Sequence, residues 1–169
     1  MVKSRKCPPM WADLCVLAPG TAAELSGTPG SASRLLPCGA GRDAVVITPM
    51  VRGLAALDSL DLPVGDGLAV LADHVHGELI VIVEGGHLPL WEGMPGVRVL
   101  SAGAWLLVPV RGSYGTPAAA WLSRPSDDRL GSGRFTAGGP TTLAEVPAVL
   151  DVEQLRDAVL AADQIVGAP

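Results

Sequence analysis

The sequence predicts a single α+β domain, with an antiparallel or mixed sheet of about five to six strands and flanking helices. Short apolar runs bounded by turn residues recur between positions 43 and 123, as strands do. Leucines at helical spacing follow the first run, and a second amphipathic pattern occupies 151–166. The order strand, helix, strands, helix is typical of α+β domains, and 169 residues are enough for one core.

The first predicted elements are a strand over residues 43–48 and the helix that follows it. Thr48 and Pro49 suit the N-cap and first-turn positions of this helix, which is expected to end before Pro63. Pro109 indicates that the strand containing it ends there or lies at a sheet edge. The remaining strands are predicted at 67–73 and 78–84, which form a hairpin, and at 97–100, 104–110 and 119–123.

Three segments outside these strands have their own character. Residues 1–40 contain repeated Pro and Gly breakers and predict an irregular arm, so the domain is assigned to 41–166. Residues 124–142 lack periodicity and predict a flexible loop. Asp151 and Gln154 resemble a capping box at the start of the last helix, 151–166.

The cysteines and the N-terminus bear on the cellular compartment. Cys7, Cys15 and Cys38 fit neither a disulfide framework nor a Cys-x-x-Cys pair, which predicts reduced thiols and a cytoplasmic protein. Pro8 and Asp13 interrupt the apolar run after the basic N-terminus, so we expect no secretion signal. No apolar stretch approaches the roughly 18 residues of a membrane span, so no membrane partner is predicted.

Charge limits the classes of partner. The net charge of −5 argues against general binding of polyanions, so a nucleic-acid contact would need a local patch. Ten of the twelve basic residues are arginine, whose planar fork suits phosphate. Trp91 lies between Pro89 and Gly93 and is expected to be exposed, where it could stack on a base, whereas Trp105 and Trp121 are expected in the core. The candidate phosphate or nucleic-acid contacts are Arg52, Arg98, Arg111 and Trp91.

The segment Asp-His-Val-His-Gly-Glu at 73–78 is the densest metal-like cluster. Its candidate ligands are His74, His76 and Glu78, at a spacing that zinc accepts. Because the segment reads as a turn between two strands, solvated polar side chains are the simpler interpretation, and no metal or other cofactor is predicted. Phosphate-loop, dinucleotide-binding and hydrolase-elbow motifs are absent from the sequence.

Four stretches carry a family resemblance: "VVITPMVRGLAALDSL", "HGELIVIV", "VRVLSAGAWLLVPV" and "AAWLSRP". Over about residues 40–165 the chain resembles the N-terminal primase/polymerase domain of bifunctional DNA primase/polymerase proteins, in the short diverged versions found in actinobacteria. The resemblance implies a primase/polymerase-like fold with an RRM-like core.

The resemblance also places the family's motif residues on this chain. Its paired acids fall on Val46 and Thr48, its histidine near Leu79, and its third acid on Arg98. Phosphoryl transfer needs divalent metal held by carboxylates, and these four side chains supply none. The resemblance therefore implies a pseudoenzyme without polymerase activity.

Three hypotheses of function follow. The first is a non-enzymatic domain that binds nucleic acid, a nucleotide or a protein partner. The second is a protein-interaction, scaffold or regulatory protein without a nucleic-acid role, which could self-associate through an exposed strand. The third is a metal-dependent enzyme that uses His74, His76 and Glu78.

Overall fold

The computed structural model describes residues 33–39, 41–62, 68–109, 115–123 and 150–166. It confirms the predicted α+β class, with a six-stranded sheet, a two-stranded sheet and two helices among these residues. The strands are β1 (Ser33–Pro37), β2 (Arg42–Ile47), β3 (Val70–Asp73), β4 (Glu78–Glu84), β5 (Val97–Leu100), β6 (Trp105–Pro109), β7 (Gly115–Thr116) and β8 (Ala119–Ser123). The helices are α1 (Met50–Ser59) and α2 (Val152–Val166), with a short 3₁₀ helix at Leu88–Trp91.

The larger sheet has the order β5-β2-β4-β3-β8-β7, and every pairing in it is antiparallel. Its register places Val46 of β2 directly opposite Ile80 of β4 and Arg98 of β5. The predicted hairpin is present, since β3 and β4 pair from Val70 with Val81 to Asp73 with Glu78. The smaller sheet, here called the β1–β6 ribbon, pairs Ser33 to Pro37 with Pro109 to Trp105.

Both faces of the central strands are covered. On one face, side chains such as Val45, Ile47 and Leu79 pack against α1 and α2. On the other, Val46 and its neighbours pack against Leu36 and other residues of the β1–β6 ribbon. Burial on both faces explains why β2, β3 and β4 read as nearly continuous apolar runs rather than as alternating ones.

Two predictions about boundaries are wrong. The domain does not begin at residue 41, because Ser33–Pro37 forms β1 and buries Leu36 to 4% exposure. Its apolar run is only two residues long, too short to stand out beside the Pro and Gly breakers. Thr48 is not the N-cap of α1, since Pro49 occupies that position without a side-chain cap and the Thr48 hydroxyl donates elsewhere. The rest of the predicted arm and the loop at 124–142 lie outside the described residues.

The last helix matches its prediction closely. Helix α2 begins at Val152, and the Asp151 carboxylate accepts a hydrogen bond from the Gln154 backbone N–H at 2.9 Å. Val152, Leu155, Val159 and Ala162 are all buried, as the helical spacing predicts. In the described part of the chain, neither helix combines the length and the apolar character needed to cross a membrane.

Packing between α1 and β4 depends on Gly53. A Cβ atom placed there would lie 2.6 Å from Cδ2 of Leu79 and 2.9 Å from its Cβ. Leu79 is fully buried, so it has little room to retreat. The helix can therefore approach the sheet this closely only with glycine at this position.

We expect Gly53→Ala to lower the free energy of unfolding by about 1–3 kcal/mol through overpacking. This outcome opposes helix propensity, which favours alanine by roughly 1 kcal/mol. In a Leu79→Ala background the added methyl should cost less, which a double-mutant cycle measured by chemical denaturation would detect. Stabilisation by Gly53→Ala in the otherwise unchanged chain would contradict the packing argument.

Candidate functional site

Polar side chains collect at one end of the larger sheet, and we call Thr48, Asp73, His76, Glu78 and Arg98 the strand-end cluster. Glu78 lies at its centre. The Glu78 carboxylate accepts hydrogen bonds from Arg98 Nη2 at 2.6 Å and from the Thr48 hydroxyl at 3.3 Å. These three residues come from β4, from β5 and from the end of β2, which are neighbours in the sheet. The strand order itself therefore assembles this part of the cluster.

Asp73 and His76 form the second half of the cluster. Asp73 lies directly opposite Glu78 in the β3–β4 register, an arrangement that is unfavourable for two carboxylates unless cations offset them. Each carboxylate has such a partner, because His76 Nδ1 lies 2.6 Å from Asp73 Oδ2 and Arg98 contacts Glu78. Asp73 Oδ1 also accepts the backbone N–H groups of Val75 and His76, at 2.9 and 3.0 Å, which fixes the turn.

The two histidines of this turn respond to it in opposite ways. The hydrogen bond to Asp73, together with the negative charges of Asp73 and Glu78, raises the pKa of His76 above its ordinary value, although desolvation and the charge of Arg98 oppose the rise. Burial lowers the pKa of His74, and the charge of Asp73 offsets this only in part. His76 is the exposed member of the pair, with 67% of its side chain open to solvent.

We expect an NMR titration to give His76 a pKa above the unperturbed value of about 6.5. Because the folded state binds this proton more tightly, its contribution to stability is complete below the unfolded pKa and is lost as pH rises through the folded pKa. Asp73→Asn should return the His76 pKa toward 6.5. Glu84→Gln, at the opposite end of β4, is the control and should leave the His76 pKa unchanged.

The four motif positions named by the resemblance divide between the two faces of the sheet. Val46 is fully buried under the β1–β6 ribbon, and Arg98 is its direct cross-strand neighbour. Thr48 meets Arg98 through their shared partner Glu78. Leu79 packs toward the helices instead, because side chains alternate across a strand. Val46, Thr48 and Arg98 thus lie together, and Leu79 does not join them.

Arg52 is not available as a phosphate contact, which corrects the prediction made from its type. Its side chain is only 5% exposed and forms a forked ion pair with Asp163 of α2, with both N–O distances at 2.6 Å. A third nitrogen, Nη1, donates to the Pro95 carbonyl at 2.5 Å. The adjacent Gly96 carbonyl accepts the Thr48 N–H at 2.7 Å. Arg52 therefore supports the backbone beside the strand-end cluster from inside the domain.

We expect Asp163→Asn to lower the free energy of unfolding by about 1–3 kcal/mol, because it leaves the buried Arg52 guanidinium without its counter-charge. The matched control is Asp157→Asn, which removes the same charge from the same helix. Asp157 is 75% exposed and pairs with Arg156 at 3.3 Å, so its loss should change stability by less than about 0.5 kcal/mol. Equal effects of the two variants in chemical denaturation would show that the Arg52–Asp163 ion pair contributes no more to the free energy of unfolding than an exposed pair does.

The prediction for the tryptophans is wrong at two positions. Trp91 is buried to 4% exposure and packs in the core beneath the helices. The 3₁₀ helix turns its ring inward, and Arg156 of α2 donates to the neighbouring Leu90 carbonyl at 2.9 Å. Trp105 is 60% exposed, on the outer face of the β1–β6 ribbon. Trp121 is partly buried against the core under the ribbon, in line with its prediction.

Two of the three metal candidates have other partners, and the third, His74, has a buried Nε2 that makes no hydrogen bond within the described residues. Glu78 is engaged by Arg98 and Thr48, and His76 is engaged by Asp73. Among the described residues, no group of three or more His, Cys, Asp or Glu side chains is arranged to hold a metal ion. Arg111, the remaining candidate for phosphate contact, lies outside the described residues.

Cys38 is a buried free thiol at the base of the β1–β6 ribbon. Burial, assisted by the charge of Asp43, raises its pKa to about 11. Since the thiolate is the reactive form, this cysteine is a poor nucleophile at neutral pH. Cys7 and Cys15 lie outside the described residues.

Sequence reasoning noted Asp73 and Glu78 beside the two histidines, but it identified neither the contacts of Asp73 nor the central position of Glu78. A signal for both was present in the hairpin, because a turn at 74–77 forces positions 73 and 78 into direct register. Fold and cluster together define an α+β domain with a charge-balanced polar site at one end of its main sheet. Comparisons with protein-family models, curated proteins and solved structures give no match for this chain.

Proposed function

We propose that this chain is a non-catalytic domain of the primase/polymerase-like type, which binds the phosphate of a nucleotide or of single-stranded nucleic acid at the strand-end cluster. The observation that carries the proposal is the placement of Arg98. Its side chain is 55% exposed, and Glu78 holds it beside Thr48 at the sheet end. It is a fixed cation that faces solvent.

The contact to Glu78 uses only part of the hydrogen-bond donors of Arg98. A guanidinium carries five N–H groups in a planar fork that matches phosphate, and the contact to Glu78 uses Nη2. The Glu78 side chain is only 15% exposed and faces Asp73 across the strands, so a phosphate would share the guanidinium with Glu78 through its other nitrogens and would not displace it. Arg98 can therefore bind an anion without leaving its place in the fold.

His76 supplies a second cation when protonated. Its side chain is 67% exposed, and its hydrogen bond to Asp73 uses Nδ1 and not Nε2. The hydrogen bond to Asp73 raises the pKa of His76, and binding should strengthen as pH falls through that raised pKa and the ring gains its charge. Asp73 and Glu78 balance the two cations, so the cluster favours a placed phosphate over indiscriminate polyanion binding.

The motif positions Val46 and Arg98 argue against nucleotidyl transfer. Val46 offers no oxygen to a divalent metal and is sealed under the β1–β6 ribbon. Arg98 places a positive charge where the resemblance has a carboxylate, which opposes metal binding. The domain we propose retains a ligand site and has lost the means to activate the phosphate for transfer.

The test is fluorescence anisotropy with labelled single-stranded DNA at low salt. Arg98→Glu should weaken binding about tenfold or more, which corresponds to roughly 1.4 kcal/mol, and should reduce the salt slope by about one charge. Arg98→Gln should have an intermediate effect. Arg42→Glu is the control, since it makes the same charge change at the opposite end of β2 and should cost far less.

Binding that is indifferent to Arg98, or that falls equally with Arg42→Glu, would overturn the proposal. Primer extension in the presence of magnesium would overturn its non-catalytic part. A stoichiometric transition metal in the purified protein, removed by His76→Ala, would instead establish the metal-dependent alternative.

A further inference from the structure

Strand β1 has one free edge among the residues that the structure describes. It pairs with β6 alone, and Cys38 N–H donates to the Ala104 carbonyl at 2.9 Å just beyond its end. Hydrogen-bonded and non-hydrogen-bonded pairs alternate along antiparallel strands. Because Cys38 faces β6, the backbone N–H and C=O groups of Leu36 and Arg34 also face β6. The backbone groups of Ser33, Leu35 and Pro37 point away from it.

The prolines of the ribbon agree with this assignment. Pro37 of β1 and Pro109 of β6 both fall at positions whose backbone faces away from the partner strand, where a missing N–H costs no ladder bond. The outward edge of β1 therefore presents the N–H groups of Ser33 and Leu35 and the carbonyls of Ser33, Leu35 and Pro37.

The outer face beside this edge is apolar. Leu35 is 59% exposed and Trp105 is 60% exposed, and Leu107 lies directly opposite Leu35. The residues that share the outer face with Leu35 and Trp105 are uncharged, and the charged residue of β1, Arg34, is exposed next to Leu35; the uncharged positions are Ser33, Leu35, Pro37, Trp105, Leu107 and Pro109. Charged side chains, prolines and short length commonly limit pairing at sheet edges, and β1 has Arg34, Pro37 and only five residues, so its apolar outer face favours a weak association over a strong one.

We propose that two copies of this chain associate through β1, in antiparallel pairing about a two-fold axis at Leu35. Leu35 is the middle residue of this five-residue strand, so each Leu35 would face its own copy. Ser33 of one copy would face Pro37 of the other. The proline has no N–H to leave unpaired, and each outward N–H of Ser33 and Leu35 meets a carbonyl.

The resulting sheet has the order β6-β1-β1-β6, with the leucines of both ribbons in one row across it. The paired edge is about 17 Å long at about 3.4 Å per residue. An edge of this length buries little surface, whereas a stable interface typically buries about 800 Å² per partner. The pairing therefore gives a weak dimer whose population depends on protein concentration.

This association does not rest on phosphate binding. The β1 edge and the strand-end cluster belong to different sheets, so a substitution in β1 leaves Arg98 and its partners in place. Loss of DNA binding and loss of dimerisation are therefore separable results.

Sedimentation velocity on the full chain over a concentration series tests the proposal. The average mass should rise from 17.2 kDa toward twice that value as concentration increases. Leu35→Lys should keep the chain monomeric, and because Leu35 is exposed the fold should persist, as circular dichroism would verify. Leu88→Lys makes the same change at a leucine that is 46% exposed outside the ribbon, and it should dimerise like the unaltered chain.

Hydrogen exchange adds a local measurement. The amides of Ser33 and Leu35 should both gain protection from exchange as protein concentration rises. In Leu35→Lys, the Ser33 amide should no longer show this gain. A chain that stays monomeric throughout, or that loses association equally in Leu88→Lys, overturns the proposal. Leu35 protection that is independent of concentration also overturns it, since another segment of the same chain would then cover the edge.

Discussion

Burial of both faces of the central strands is the constraint on which the other features depend. Helices α1 and α2 cover one face and the β1–β6 ribbon covers the other, so the middle of β2 can hold only apolar side chains. Polar groups are restricted to strand ends, where the covering layers stop. Thr48, Glu78 and Arg98 occupy one such end, and their proximity follows from adjacent strands ending at the same level.

Within the cluster, each charge has a neighbour of opposite sign. Glu78 and Asp73 face each other across two strands, and Arg98 and His76 prevent the repulsion that this register would otherwise produce. The arrangement holds an arginine in a fixed position at a solvent-facing site. That placement puts a local positive charge on the surface of a protein whose overall charge is −5, and the proposed phosphate contact depends on it.

Much of the fold could be predicted from the sequence, because β2, β3 and β4 are buried on both faces and therefore have long apolar runs. The same feature hid the orientation of individual residues. A continuous apolar run does not reveal which face Val46 or Leu79 occupies, since both faces are buried. Trp91 and β1 were missed because tertiary contacts determine their burial, and local Pro and Gly residues gave the opposite signal. The polar residue types of the strand-end cluster could be read from the sequence. The strand register that brings them together could be inferred only for the hairpin.

The ion pair between Arg52 and Asp163 joins residues that are 111 positions apart. Closing so long a segment costs conformational entropy, which the packing of α2 must offset. Without α2, the Arg52 guanidinium would lose its counter-charge and the apolar residues that α2 covers would be exposed. One helix thus completes the apolar layer and neutralises this arginine, which makes α2 an integral part of the fold rather than an appendage to it.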